Sequence, residues 1–215
     1  DKFSEWLRNE KKIHYTDTTL RDAHQSLLAT RMRTYDMLKV AKHFAKLHPQ
    51  TFSMEVWGGA TFDVCIRFLR EDPWKRLEQI RAAVPNILLQ MLIRGCNGVG
   101  YAAYPDNLIE KFVEKSWEKG VDVFRIFDSL NWMENIAPCI DMVRKRTQGI
   151  AEGALCYTGD IMDGKRTKYT LDYYLRLAKD LENAGAHILA IKDMSGLLKP
   201  YAAKAPRAVP TRRRT

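Results

Sequence analysis

The chain has 215 residues, of which 46% are hydrophobic, so it can bury one core and is not globally disordered. Its formal net charge is +9, but six of the 35 basic residues and none of the 26 acidic residues lie in 199–215. The rest of the chain therefore carries a net charge of about +3, which argues against a nucleic-acid binder. No apolar run reaches the ~18 residues of a membrane span, and no charged-then-apolar leader follows Asp1, so neither a membrane segment nor a signal peptide is expected.

The first element in chain order is a polar leading segment, 1–12, in which a short helix is expected. Apolar, β-branched runs then recur at intervals of 30 to 39 residues, and each predicts a strand. These runs begin near Ile13, Phe52, Ile87, Val121, Ala151 and His187.

Helical patterns fill the gaps between the predicted strands. The first has apolar positions from Met37 to Ala45, and Thr34 is its candidate N-cap. The others are predicted over 73–84, 109–117 with Gly120 at its end, 133–146, and 170–181 with Gly185 at its end.

This alternation of strand and helix predicts right-handed βαβ units and an α/β fold of the TIM (β/α)8 barrel type, with about six βα units present and the barrel incomplete. An open doubly wound sheet is the alternative, but its glycine-rich turn after the first strand is missing, because 19–22 reads TLRD. The later stretch 95–100 (GCNGVG) has the wrong order for a dinucleotide loop.

A barrel places its chemistry at the carboxyl ends of the strands, and polar or aromatic side chains cluster at all six of them. They are Asp17, Arg21, Asp22 and Gln25 at the first strand, Glu55 and Trp57 at the second, Arg94 at the third, Arg125 and Asp128 at the fourth, Tyr157 and Asp160 at the fifth, and Lys192 and Asp193 at the sixth.

Asp22 offers a hard oxygen ligand for a divalent metal, and Arg21 and Gln25 beside it could hold an anionic substrate over that metal. A helix-capping or ion-paired aspartate is the alternative. Arg94 closes an apolar strand, where its fork suits capture of a carboxylate, with a surface salt bridge as the alternative.

Lys192 follows an apolar strand and is expected to point into the barrel, where an unpaired ammonium is costly. It could pair with Asp22, Asp160 or Asp193. It could instead react with CO2 to form a carbamate, which removes the buried cation and creates a metal ligand. A biotin attachment site is rejected, because AIKDM differs from the AMKM pattern and lies on a buried strand.

The remaining candidate ligands carry no predicted site. The four cysteines lack C-x-x-C spacing and are expected to be free, buried thiols in a reducing compartment. The histidines receive no metal role and those on helices are expected to be exposed; Trp57, Trp74, Trp117 and Trp132 are expected to be packing residues.

Longer motifs resemble one family. They are 18–31 (TTLRDAHQSLLATR), 55–63 (EVWGGATFD), 67–74 (RFLREDPW), 124–132 (FRIFDSLNW), 156–161 (CYTGDI) and 191–194 (IKDM). Within about 13–204 the chain is similar to the carboxyltransferase domain of pyruvate carboxylase. The resemblance implies a TIM barrel in which carboxybiotin delivers CO2 to the enol form of pyruvate, giving oxaloacetate, with help from a Mn- or Zn-type ion.

The resemblance also implies roles for single residues. Asp22 and a carbamylated Lys192 match the metal ligands of the family, whose other two ligands form a His-x-His on the seventh strand. Arg21, Gln25 and Arg94 match the residues that hold pyruvate and make up the catalytic set together with Lys192. Asp63 and Tyr101 match positions near the incoming biotin.

It implies partners as well: a biotin carrier domain, a biotin carboxylase domain that uses ATP elsewhere, a homo-oligomer, and a cytoplasmic location or the mitochondrial matrix in a eukaryote. After Lys204 the sequence departs from the family, because 205–215 (APRAVPTRRRT) holds two prolines and no strand, and no His-x-His occurs. We therefore expect a partial barrel over 13–204, a disordered basic tail over 205–215, and no activity of this chain alone.

Related functions stay open. The oxaloacetate decarboxylase α subunit and transcarboxylase share the barrel, although 97–101 and 129–132 favour the carboxylase. Claisen-type lyases and synthases share the first-strand motif, but Ala23, His24 and the GGATFD block argue against them. A non-catalytic fragment is the alternative from another class.

Overall fold

The computed structural model describes residues 2–165 and 167–204. Within them, parallel strands form one curled six-stranded sheet in the order β1-β2-β3-β4-β5-β6. These strands are β1 (Thr16–Asp17), β2 (Ser53–Trp57), β3 (Leu88–Ile93), β4 (Val123–Ile126), β5 (Ile150–Cys156) and β6 (Ile188–Lys192). The order confirms the predicted incomplete TIM barrel, because an open doubly wound sheet would reverse its strand order at a switch point.

Helices alternate with the strands. They are α1 (Lys2–Asn9), α2 (His24–Leu27), α3 (Thr34–Leu47), α4 (Gly59–Val64), α5 (Pro73–Ala83), α6 (Asp106–Glu118), α7 (Met133–Arg146) and α8 (Leu171–Asn183). Thr19–Ala23 and Cys65–Leu69 form π-helical turns, and Gly95–Asn97 and Ala202–Lys204 form 3-10 turns. The disorder expected of 205–215 lies outside the described residues.

Local sequence explains the starts of two of the described helices, α5 and α8. Asp72 caps α5 by accepting from the backbone N–H groups of Trp74 and Lys75, and Pro73 occupies the first turn. Thr170 caps α8 by accepting from the N–H of Tyr173. The prediction that a threonine also caps α3 was wrong. That residue, Thr34, is the first helical residue and its hydroxyl donates to the Glu71 carboxylate at 2.6 Å instead.

The main core lies between the outer face of the sheet and the helices that cover it. Its largest buried ring, Trp57, stacks on Phe112 with centroids 5.7 Å apart and also contacts Trp74 at 4.9 Å. The packing role predicted for Trp57 is confirmed, whereas Trp132 is 58% exposed and does not belong to the core. No helix in the described part of the chain is long and apolar enough to cross a membrane.

The amino-terminal helix sits at the opposite end of the sheet from the predicted site. Phe3 of α1 contacts Phe52, just before β2, and His187, just before β6, at centroid distances of 6.4 Å each. Because both contacts lie at the amino ends of strands, α1 connects the two sides of the curled sheet at that end.

Candidate active site

The turn after β1 directs Arg21 into the curled sheet. Its guanidinium is 3% exposed and donates from Nε and Nη2 to Glu55 Oε2, at 2.9 and 2.6 Å. The third contact is from Nη1 to Asp22 Oδ1 at 2.8 Å. Two carboxylates therefore fix the direction of this guanidinium, and two of its five N–H groups remain for another partner.

Asp22 lies at the rim, with its side chain half exposed. One carboxylate oxygen accepts from Arg21, and the other accepts no hydrogen bond from any residue that the structure describes. Asp22 is thus held in place while keeping one oxygen available, as a metal ligand requires. The capping alternative does not apply, since this carboxylate binds a side chain and no backbone N–H, whereas the ion-pair alternative is formed, with Arg21 as the partner.

Lys192 ends β6 and is half buried, with Nζ 5.4 Å from the centre of the Phe127 ring. Burial is the main cause that lowers the pKa of its amine, and Arg21 lowers it further, while Asp22 acts in the opposite direction. None of the three predicted ion pairs of Lys192, with Asp22, Asp160 or Asp193, is formed within the described residues. Asp160 accepts from Lys199 at 2.9 Å, and Asp193 accepts from backbone N–H groups of its own loop.

Arg94 follows β3 and is half buried. Nη1 donates to the Gly100 carbonyl at 3.0 Å, and the guanidinium carbon lies 5.2 Å from the centre of the Tyr101 ring. Its Nε and Nη2 make no hydrogen bond within 2–165 and 167–204. This pair of parallel donors can donate to a carboxylate. The surface salt bridge, the alternative for Arg94, is not formed with any described residue.

Two consecutive glycines join the arginine sites. A Cβ added at Gly58 would lie 3.7 Å from Cδ of Arg21, and one added at Gly59 would lie 2.8 Å from Nη1 of Arg94. Since neighbouring Cα atoms are only about 3.8 Å apart, both arginine side chains lie beside the same short stretch of backbone after β2, and the space next to it is the candidate site. The absence of side chains at these glycines makes room for the two arginines.

The other predicted residues surround this space less closely. Gln25 on α2 is half buried and has no hydrogen bond among the described residues. Asp63 on α4 pairs with Arg67 at 3.4 Å, and Tyr101 is 74% exposed. The ring contact places Tyr101 beside Arg94, whereas no hydrogen bond or ion pair joins Gln25 or Asp63 to either arginine within the described residues.

Sequence reasoning missed a buried charge network below the site. Arg125 of β4 donates to Glu152 of β5 at 2.9 Å and to Glu55 of β2 at 3.3 Å. Burial raises the pKa of Glu152, Arg125 opposes this, and Glu55 adds to it. The sequence places Glu55 and Arg125 at strand ends, but only the structure shows that they are partners.

One histidine was also predicted wrongly. His24 is 2% exposed, and its Nε2 lies 2.9 Å from the Leu20 carbonyl, so this helical histidine is buried. Burial is the main cause that lowers its pKa, which favours the neutral ring. The four cysteines, by contrast, are free and buried as predicted.

Asp22 and Lys192 fit a divalent metal only in part. The described residues contain no group of three or more His, Cys, Asp and Glu side chains that could hold a metal ion. The free oxygen of Asp22 and the amine of Lys192, which makes no ion pair in the described ranges, can supply two donors. Any further ligands must come from elsewhere.

Parallel strands that present acidic, guanidinium and amino groups at their carboxyl ends define an α/β enzyme domain of the TIM-barrel class. No family model matches the chain. The chain is 62% identical over 198 residues to pyruvate carboxylase of Bacillus subtilis, and this match covers 92% of the chain. It is 54% identical over 200 residues to the mitochondrial pyruvate carboxylase of Homo sapiens, and that match covers 93% of the chain. The chain is thus homologous to part of the carboxyltransferase domain of pyruvate carboxylases.

Solved structures agree with this assignment. The carboxyltransferase domain of Rhizobium etli pyruvate carboxylase with pyruvate matches with a TM-score of 0.93 and 57% identity, over 95% of this chain and 35% of that one. The same domain with pyruvate and biocytin matches equally well, over 34% of its length. The chain spans 17% of the length of the curated relatives, so their complete activity is a proposal for this chain.

Proposed function

We propose that this chain forms part of a carboxyltransferase site that moves a carboxyl group from carboxybiotin to pyruvate, giving oxaloacetate. The observation that carries the proposal is that Arg21 and Arg94, each with unused N–H groups among the described residues, lie beside the neighbouring glycines Gly58 and Gly59. Relatives of high identity were solved with pyruvate and with biocytin, which supports the choice of substrate and carrier.

In this proposal Arg94 binds the substrate carboxylate through Nε and Nη2, the two donors that it has free among the described residues. Its remaining contact, with the Gly100 carbonyl, sets the direction of that fork. Arg21 directs its two spare N–H groups at the negative charge that develops on the keto oxygen as the methyl group loses a proton, and Gln25 assists in holding pyruvate. The C–N bond of carboxybiotin breaks, a C–C bond to the enolate carbon forms, and the biotin nitrogen takes up the proton.

Asp22 and Lys192 would hold a divalent ion, of the Mn or Zn type, at the rim of the candidate site. The lysine amine would first add CO2 and release a proton, which turns it into a carbamate with oxygen donors. When bound, the ion would polarise the keto group and stabilise the enolate. Asp63 and Tyr101 would border the biotin ring.

The rest of the proposal concerns the whole protein. We infer a leading segment over 1–12, a partial barrel over 13–204 and a basic tail over 205–215. A biotin carrier domain, a biotin carboxylase domain that uses ATP, and a homo-oligomer would complete the enzyme, in the cytoplasm or in the mitochondrial matrix of a eukaryote.

Replacement of Lys192 by alanine tests the metal assignment. In the complete protein that contains this chain, we expect Lys192→Ala to lose most bound metal, by elemental analysis, and nearly all oxaloacetate formation. The matched control is Lys199→Ala, since Lys199 is exposed and pairs with Asp160. Stoichiometric metal in the first variant would contradict the assignment.

An oxaloacetate decarboxylase α subunit or a transcarboxylase would use the same half-reaction. ATP-dependent formation of oxaloacetate from pyruvate and bicarbonate by the complete protein supports the carboxylase. Decarboxylation of oxaloacetate without that activity supports the decarboxylase. Binding of neither pyruvate nor metal would support a non-catalytic fragment.

A further inference from the structure

Glu55 occupies an unusual position between two arginines. Its side chain is 0% exposed, with one oxygen accepting twice from Arg21 and the other accepting from Arg125 at 3.3 Å. It lies on β2, directly opposite Gln90 of β3 in the strand register. Both oxygens of this one carboxylate are therefore committed to guanidinium groups, and neither faces solvent.

Burial of such a group is a weak source of stability. Desolvation of the ions offsets most of their attraction, and apolar side chains of similar size often serve stability equally well. The network is better explained by what it orients. Of its members, Arg21 is the one that also reaches the rim, where it donates to Asp22.

Three contacts set the orientation of Arg21, and two of them come from Glu55. The bonds from Nε and Nη2 converge on one oxygen, Glu55 Oε2, and together with the Nη1 bond to Asp22 they restrict rotation of the guanidinium and hold its plane. Once that plane is fixed, Nη1 faces Asp22 at 2.8 Å and the unused N–H groups have defined directions. Without Glu55, the contact with Asp22 alone would leave the plane free to turn.

We infer that Glu55 is a positioning residue, which holds the Arg21 guanidinium and, through it, the Asp22 carboxylate in the geometry of the site. This inference rests on the proposed function for the roles of Arg21 and Asp22. Glu55 itself does not touch the substrate.

The network contains its own matched control. Glu152 is also a buried carboxylate on a neighbouring strand of the sheet, and it binds Arg125 at 2.9 Å. No hydrogen bond joins it to Arg21 within the described residues. Glu152→Gln thus removes a buried negative charge from the same network and leaves the Arg21–Glu55 pair intact.

The test compares Glu55→Gln, Glu55→Asp and Glu152→Gln in the complete protein. Glutamine keeps the shape of Glu55 but removes its negative charge. Its single oxygen can accept from only one of the two arginines, and its NH2 group then faces the donors of the other, so the hold on Arg21 is weakened. We expect Glu55→Gln to lower kcat/KM for pyruvate about 10- to 100-fold, with a higher KM, and to lower the bound metal. Glu152→Gln should keep kcat/KM within about threefold, and Glu55→Asp, which keeps the charge, should recover part of the loss.

Equal losses of kcat/KM in Glu55→Gln and Glu152→Gln, at similar melting temperatures, would overturn the inference, as would an unchanged Glu55→Gln. If Glu55→Gln does not fold, Glu55→Asp decides, because it must lose more kcat/KM than Glu152→Gln does. Metal content is measured without turnover. Metal content therefore tests the positioning role even if the unmodified protein does not convert pyruvate. Such an absence of turnover would refute the proposed function alone.

Discussion

Substitution of Arg94 by lysine should separate charge from geometry at the proposed carboxylate anchor. Nη1 of Arg94 is tethered to the Gly100 carbonyl at 3.0 Å, which leaves the Nε and Nη2 edge for the substrate. Lysine keeps the positive charge but offers a single donor point, so a two-bond contact becomes at best one bond. The lost charge-assisted bond should cost about 2–4 kcal/mol in transition-state binding, roughly 30- to 1,000-fold in kcat/KM.

The assay is steady-state formation of oxaloacetate against pyruvate concentration by the complete protein, with melting temperature as a check on folding. Arg33→Lys is a suitable control, because Arg33 makes an exposed two-bond contact with Asp36 on α3. We expect its kcat/KM to stay within about threefold of the unmodified protein. An unchanged kcat/KM for Arg94→Lys would remove this arginine from the site.

Two further predictions concern the candidate site after β2 and the packing of α3 on α5. Gly59→Ala should lower kcat/KM for pyruvate about tenfold with little change in melting temperature, because its Cβ would lie 2.8 Å from Nη1 of Arg94 and displace the guanidinium. Unchanged kinetics would contradict this displacement. Burial alone would raise the pKa of Glu71, but hydrogen bonds from Thr34 and Arg76 outweigh burial and lower this pKa. The stability that ionised Glu71 contributes is therefore fully present above its usual pKa and is lost as the pH falls through the lowered value. Glu71→Gln should then lower the unfolding free energy by about 3 kcal/mol at pH 7, since it leaves buried Arg76 without its ion pair. In urea melts, the variant should also show a smaller decrease of unfolding free energy as the pH is lowered. An equal destabilisation by the substitution at pH 7 and at pH 3 would contradict this.

The sequence predicts the longer helices and the strand order, for physical reasons that are local, but it does not predict the short helices α2 and α4. The helix predicted over 133–146 matches α7 to the residue, and Pro73 and Gly120 mark a helix start and a helix end as predicted. These features depend on spacing, capping and backbone freedom within one turn. Regular alternation of such elements then leaves few topologies.

Features that depend on contacts across the sheet could not be predicted in this way. β1 is only two residues long, since the register pairs Thr16 and Asp17 with β2 in the described sheet. Ile13 and Tyr15, which precede them, are exposed. His24 sits on a four-residue helix, which is too short to show a periodic buried face. Burial there is decided by neighbours from distant parts of the chain.

The site illustrates the same limit. Arg21, Asp22, Arg94 and Lys192 could be chosen because each follows a predicted strand. Their partners could not, since whether Lys192 pairs with Asp22, Asp160, Asp193 or none of them depends on loops whose shapes the sequence does not reveal. The resemblance to a family supplied the residue roles, and the structure supplies the contacts that support them.

The interior charges tie the chemistry of the rim to the register of the strands. TIM barrels usually fill this interior with layers of branched aliphatic side chains, but here β2, β4 and β5 contribute Glu55, Arg125 and Glu152. Arg125 stands directly opposite Glu152 in the register, and a slip of one residue would turn either side chain to the outer face. Such a slip would leave buried charges unpaired, which is far more costly than the exposure of an aliphatic group. The network therefore penalises wrong registers, and the correct register places Glu55 where it can hold Arg21 beneath Asp22.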